Sequence, residues 1–157
     1  MYVQRDATGA VNGVFARSQA GYAEEWLDAD HPDLLRYRGL DLDGRKATRR
    51  AALSADCNAA ITGGFESDAL GSAHRYDSDL EAQVNLVGAA SLGAAVDYTC
   101  TEVATGTKGS VTHTAAQIKQ VLKDGAAIKI ALLAQYRARV ADVEAAETEA
   151  EVEAVVW

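Results

Sequence analysis

Three histidines, two cysteines and a surplus of carboxylates are the residues of this sequence that could do chemistry. His31 precedes Pro32, His74 lies in the short stretch Ala73-His74-Arg75-Tyr76, and His113 stands just before an extended apolar stripe, so the three do not cluster along the chain. Should the segments carrying His74 and His113 pair, the two imidazoles would join Asp77 or Asp79 in a metal site, the chemistry of a metal-dependent hydrolase. The simpler reading makes each histidine a polar strand or cap residue. Cys57 and Cys100 have no CxxC partner and no nearby histidine, which suits small core residues better than a zinc site or a disulfide. GxSxG, P-loop, HExxH and glycine-rich phosphate fingerprints are all missing. The carboxylates from Glu144 to Glu153 read as a solvated helix face with capping residues, because paired catalytic acids need apolar surroundings to shift their pKa values. The expectation is a protein with no catalytic residues, no metal and no cofactor.

What is left is aromatic placement. Tyr22, Trp26 and Trp157 are large and lie outside every periodic core stripe in the sequence. Trp and Tyr are enriched where one protein anchors on another, so these three are the expected partner-binding residues. Trp157 has an alternative reading, as a plug folded back on its own core.

The totals narrow the partner class. A net charge of -8 disfavours a general phosphate-backbone binder, so no nucleic-acid partner is expected. The one basic cluster, Arg45, Lys46, Arg49 and Arg50, reads as the wet side of a helix start. Nothing approaches the roughly 18 apolar residues of a membrane span, and Met1-Tyr2-Val3-Gln4-Arg5-Asp6 lacks the form of a signal peptide, so a cytosolic protein is expected. Apolar residues make up 48% of the 157 positions, but alanine dominates them and aromatics reach only 6%, which predicts a thin core held by a few large side chains.

The elements that must position these residues follow from periodicity. Tyr2–Arg5 and Val11–Ala16 around Asp6-Ala7-Thr8-Gly9 predict an N-terminal hairpin, whose register Asn12-Gly13 complicates. Tyr22 to Pro32 reads as a linker or irregular arm. A helix from Arg45 carries Leu53, Cys57 and Ile61 at four-residue spacing and stops at Gly63-Gly64. Phe65–Leu70 and Ala73–Tyr76 flank Gly71-Ser72 as a short hairpin. A capping box at Ser78 opens a second helix with Leu80, Val84 and Val87 as its buried stripe. Val96–Val103 and Ser110–Thr114 form a second hairpin about the turn Thr105–Gly109. Thr114 opens the longest helix, with a stripe of Ile118, Val121, Leu122, Ile128, Leu132, Tyr136, Val140 and Val143 and a kink or break expected at Asp124-Gly125. Thr148 caps a terminal helix that runs through Val152, Val155 and Val156 into Trp157. The fold class is therefore α+β: three main helices with two short antiparallel hairpins between them, preceded by an N-terminal hairpin and arm. Residues 1–42 form the expected docking arm and 43–157 the α+β domain.

One further pattern goes beyond periodicity. Ala60-Ile61-Thr62-Gly63-Gly64-Phe65-Glu66-Ser67-Asp68-Ala69-Leu70-Gly71, His74-Arg75-Tyr76-Asp77-Ser78, Gln83-Val84-Asn85-Leu86, His113-Thr114-Ala115-Ala116-Gln117-Ile118 and the ending from Ala146 to Trp157 resemble a domain of unknown function found in tailed-bacteriophage proteins encoded beside tail fibre genes. Arg5-Asp6-Ala7-Thr8-Gly9 and Gly21–Leu27 look like the leader of such proteins. The resemblance implies a virion component of the tail, binding tail fibre, baseplate or tail-tip proteins after assembly in the host cytoplasm. A transient fibre assembly chaperone is the alternative it also accommodates. It carries no catalytic residues onto these positions, and a symmetric tail would allow a homo-oligomer.

Overall fold

A computed structural model describes residues 1–157. The element order is that of an α+β fold, as the sequence indicates. Contacts divide the chain into two compact units, Met1–Ala52 with Ala141–Val156, and Leu53–Val140 with Trp157. The division falls inside two of the helices.

In the first unit, β1 (Tyr2–Arg5) and β2 (Val11–Phe15) form the expected antiparallel hairpin. The Asp6 carboxylate holds its turn by accepting from the Thr8 and Ala10 backbone amides at 2.8 and 3.1 Å. The register shifts between Gln4 and Arg5, so that Gly13 faces Gln4 and Val11 faces Arg5, a bulge at the Asn12-Gly13 pair. The segment expected to be an irregular arm is ordered instead: β3 (Glu25–Trp26) adds to the other edge of β1, giving the strand order β2-β1-β3. Two residues are too short for any alternation to show in sequence. A short helix that the sequence reading missed follows, α1 (Pro32–Tyr37), with Pro32 at its first turn and His31 Nδ1 capping the Asp33 amide at 3.2 Å. Val3, Leu27 and Leu34 are buried together under the sheet.

Helix α2 (Leu42–Thr62) opens three residues before Arg45. Asp41 Oδ1 accepts the Gly44 amide there at 3.0 Å. The basic cluster on its first turns is partly exposed, yet every member of it is engaged. Arg45 pairs with Glu149 at 2.5 Å, Lys46 donates to the Glu144 carbonyl at 2.8 Å, Arg49 to the Val152 and Glu153 carbonyls at 3.3 and 2.6 Å, and Arg50 pairs with Glu144. The carboxylate crowd and the basic run, each read separately as solvated, bind each other. The partner segment is α5 (Glu149–Ala154), whose start is the capping box read at Thr148 and Glu151. The helix ends sooner than expected: Val155 is already extended, so Val155, Val156 and Trp157 lie beyond it.

In the second unit the two central hairpins, β4 (Phe65–Ser67) with β5 (His74–Tyr76) and β6 (Val96–Glu102) with β7 (Lys108–His113), fuse through β5 and β6 into one antiparallel sheet ordered β4-β5-β6-β7. Its inner face contributes Phe65, Tyr76 and Cys100 to a core closed by two helices, through Leu86 and Ala90 of α3 (Leu80–Ser91) and Ile118 and Val121 of α4 (Ala115–Ala145). Thr114 and Gln117 make the reciprocal cap expected at the start of α4.

Three expectations fail here. The cap of α3 is Asp79, whose carboxylate accepts the Ala82 amide at 2.9 Å, while Ser78 is buried one residue earlier. Leu80, Val84 and Val87 are not a buried stripe but 77%, 63% and 51% exposed. The inward row is Gln83, Leu86 and Ala90, fixed by Gln83 donating to the Ser78 carbonyl at 2.8 Å and by the Tyr98 hydroxyl on the Ala82 carbonyl at 3.2 Å. Finally, α4 runs 31 residues without a break at Asp124-Gly125. Along it Ile118, Val121 and Val143 are buried as expected, but Ile128 turns outward.

Candidate functional site

The sheet of the first unit has two faces, and pairing parity decides which residues share them. Val3 points into the core, so its neighbour Tyr2 points out, together with the residues opposite it, Phe15 on β2 and Trp26 on β3. Tyr2 and Trp26 meet edge to face with ring centroids 5.2 Å apart. Phe15 meets Tyr22 in the same manner at 5.6 Å, and Tyr22 reaches it from the loop before β3. The result is a row, Tyr22–Phe15–Tyr2–Trp26, across the outer face of a three-stranded sheet. Its two ends are the most open, Tyr22 at 55% and Trp26 at 57% exposure.

Arg5 fixes the strand that carries Trp26. Its guanidinium forks onto both carboxylate oxygens of Glu25 at 2.6 and 2.9 Å and reaches Asp33 on α1 at 2.8 Å and the Gly9 carbonyl at 2.7 Å. This hydrogen bonding holds both carboxyls below the usual carboxylate range and raises the Arg5 pKa. The row therefore sits on a backbone tied at the turn, at β3 and at α1.

Of the three residues singled out in the sequence, Tyr22 and Trp26 form the ends of this row. Trp157 belongs to the other unit and is half-buried. Tyr2 and Phe15 escaped the sequence reading. The signal for Phe15 was its place opposite Tyr2 in the hairpin; Tyr2's link to Trp26 depends on a strand too short to detect.

The histidines make no joint site. His113 pairs with Val96 and His74 with Glu102, at opposite ends of β6, which for six residues is ~20 Å of strand. Each imidazole is occupied separately. His74 Nδ1 bonds the Ser72 carbonyl at 2.9 Å. His113 is fully buried, with Nδ1 against the Val111 carbonyl at 2.8 Å and Nε2 against the Tyr76 hydroxyl at 2.9 Å. Since a carbonyl can only accept, Nδ1 carries a proton, and in the neutral ring Nε2 then accepts from Tyr76. Burial pushes both the Tyr76 phenol and the Cys100 thiol up, so the hydroxyl remains a donor. Nowhere do three or more His, Cys, Asp or Glu side chains gather as metal ligands would.

No helix is long and apolar enough to cross a membrane. Neither curated proteins nor solved structures provide a match to this chain. A family model does match residues 44–156, a segment that begins after the aromatic row, and by that match the chain belongs to the family described as Domain of unknown function (DUF4376).

Proposed function

We propose that this protein is a non-enzymatic binding module, a structural or adaptor component of a bacteriophage tail that docks on a tail fibre, baseplate or tail-tip protein. The observation that carries the binding role is the row Tyr22–Phe15–Tyr2–Trp26, four aromatic rings across one sheet face with both ends open to solvent. Aromatic side chains supply large contact area at low rotamer cost and dominate the energetics of protein interfaces. The tail setting is supported by the sequence resemblance, quoted above, to proteins encoded beside tail fibre genes. Residues before Gly44, including the row, would make the first contact, with Trp157 as a secondary anchor.

The test is mass spectrometry of purified particles carrying wild-type protein or the Trp26→Ala and Tyr22→Ala variants. Wild type is expected in the particle, and the variants, which lose one ring pair but keep a cooperative melting transition, are expected to be depleted at least about tenfold, an anchor's worth of affinity. Absence of the wild-type chain from finished particles, combined with insoluble fibres when it is deleted, would instead identify a transient chaperone. Equal incorporation of wild type and variants would remove the row from the interface.

A further inference from the structure

The outward row of α3 borders a groove that the N-terminal docking role does not use. Leu80, Val84 and Val87 recur at helical spacing and stay exposed. Beside them lies a groove of about 210 Å³ lined by Phe65, Leu86, Val87, Leu122, Gly125 and Ala126, with Ser78, Gln83 and Lys129 as its polar members. The Lys129 ammonium donates to the Gln83 amide oxygen at 2.8 Å, so a cation marks the rim.

The α4 side of the rim has the same sign, while on the α3 side Glu81 stands three residues before Val84. On α4, Lys119 and Lys123 each stand three residues before a groove-lining position, Leu122 and Ala126, and are therefore their neighbours on the helix surface. Between Ala115 and Val140 this helix carries Lys119, Lys123, Lys129, Arg137 and Arg139 against Asp124 alone. Asp124 is engaged elsewhere, accepting from Ser67 and Gln120 at 2.6 Å each. An apolar trough whose α4 edge is basic, on a chain of net charge -8, is a local exception.

We infer that the α3–α4 groove receives an acidic amphipathic helix of another protein, aliphatic residues seated between Val84, Val87 and Leu122 and carboxylates facing Lys119, Lys123 and Lys129. Helix-in-groove recognition needs anchors at i, i+3 or i+4, and i+7, which the length of α3 matches. A second copy of this chain fits less well. A stripe of three aliphatic side chains falls short of the ~800 Å² that each partner in a standard complex buries.

The probe is a synthetic helical peptide with leucine at i, i+3, i+4 and i+7 and glutamate on both flanks, titrated by fluorescence anisotropy against the full chain. Wild type is expected to bind it, less tightly as salt is added. Val84→Asp and Val87→Asp, exposed substitutions whose unchanged melting temperature confirms the fold, are expected to bind about tenfold more weakly or worse. A matching peptide with lysine in place of glutamate should not bind. Absence of binding, equal affinity of wild type and variants, or equal affinity for both peptides overturns the inference. So does self-association of the wild type in sedimentation that Val84→Asp abolishes, because the occupant is then a second copy.

Discussion

Gly125 shows how one residue can be misread from sequence and be correct in the fold. A glycine inside a helix costs about 1 kcal/mol against alanine, which is why a break was expected there. The helix continues because the missing side chain makes room: a Cβ at this position would lie 2.7 Å from Cζ of Phe65. That ring is buried and stacks on Tyr76 at 5.6 Å, so it cannot simply swing away. Gly125→Ala thus sets a propensity gain of about 1 kcal/mol against overpacking of about 1–3 kcal/mol, and the clash should win. The expected outcome is a lower melting temperature for Gly125→Ala, reversed to a rise when the same change is made in a Phe65→Leu background. A rise in the wild-type background would show that the ring yields freely. The Tyr76–His113 bond, by contrast, joins residues 37 apart and had no sequence signal at all.

At the scale of elements, legibility followed length and capping chemistry. β6 could be read because alternation persists along it, β7 as its return strand after the turn Thr105–Gly109, and α4 and α5 because Thr114 with Gln117 and Thr148 with Glu151 complete reciprocal caps. β3 and α1 could not, being two and six residues long and held by side chains distant in sequence, Arg5 above all. α3 failed differently. Its existence was plain, but it carries two apolar rows, Leu80/Val84/Val87 and Leu86/Ala90, and periodicity gives no rule for choosing between them. Tyr98 and Gln83 make the choice through tertiary bonds. The aromatic row was half legible for the same reason: Tyr22 and Trp26 stood out by type, whereas their alignment with Tyr2 and Phe15 is a matter of strand pairing. The two rows of α3 separate cleanly by mutation. Leu86→Ala, at 4% exposure, should cost about 2–5 kcal/mol in chemical denaturation, whereas Leu80→Ala should stay within about 0.5 kcal/mol, as surface substitutions do. Equal costs would mean that the helix is rotated from the orientation described.

Across the whole molecule, the strongest mark of sequence on architecture is a charge pairing that spans about a hundred positions. Arg45, Lys46, Arg49 and Arg50 hold Glu144, Glu149, Val152 and Glu153, which places the end of the chain with its first part. Each pair is partly exposed and taken singly contributes no more than about 1 kcal/mol. Arg49 adds to this by donating to carbonyls at the C-terminal end of α5, where a cation also meets the helix dipole. Because the network is screened by ions, the melting temperature of wild type should fall between low salt and about 1 M NaCl, where the Debye length shrinks to about 3 Å. A variant lacking Arg45 and Arg50 should start lower and fall less, and parallel salt slopes for the two proteins would count against the network.

The same pairing has a consequence for how this segment can be inherited. Arg45 and Arg49 bring the entrance of the family-matched stretch against residues 149 to 153, so the chain goes in and comes out at neighbouring points. A block with adjoining entrance and exit can be spliced into a surface loop of an unrelated host, since closing that loop again costs little entropy. Such a block is geometrically suited to move as an internal cassette.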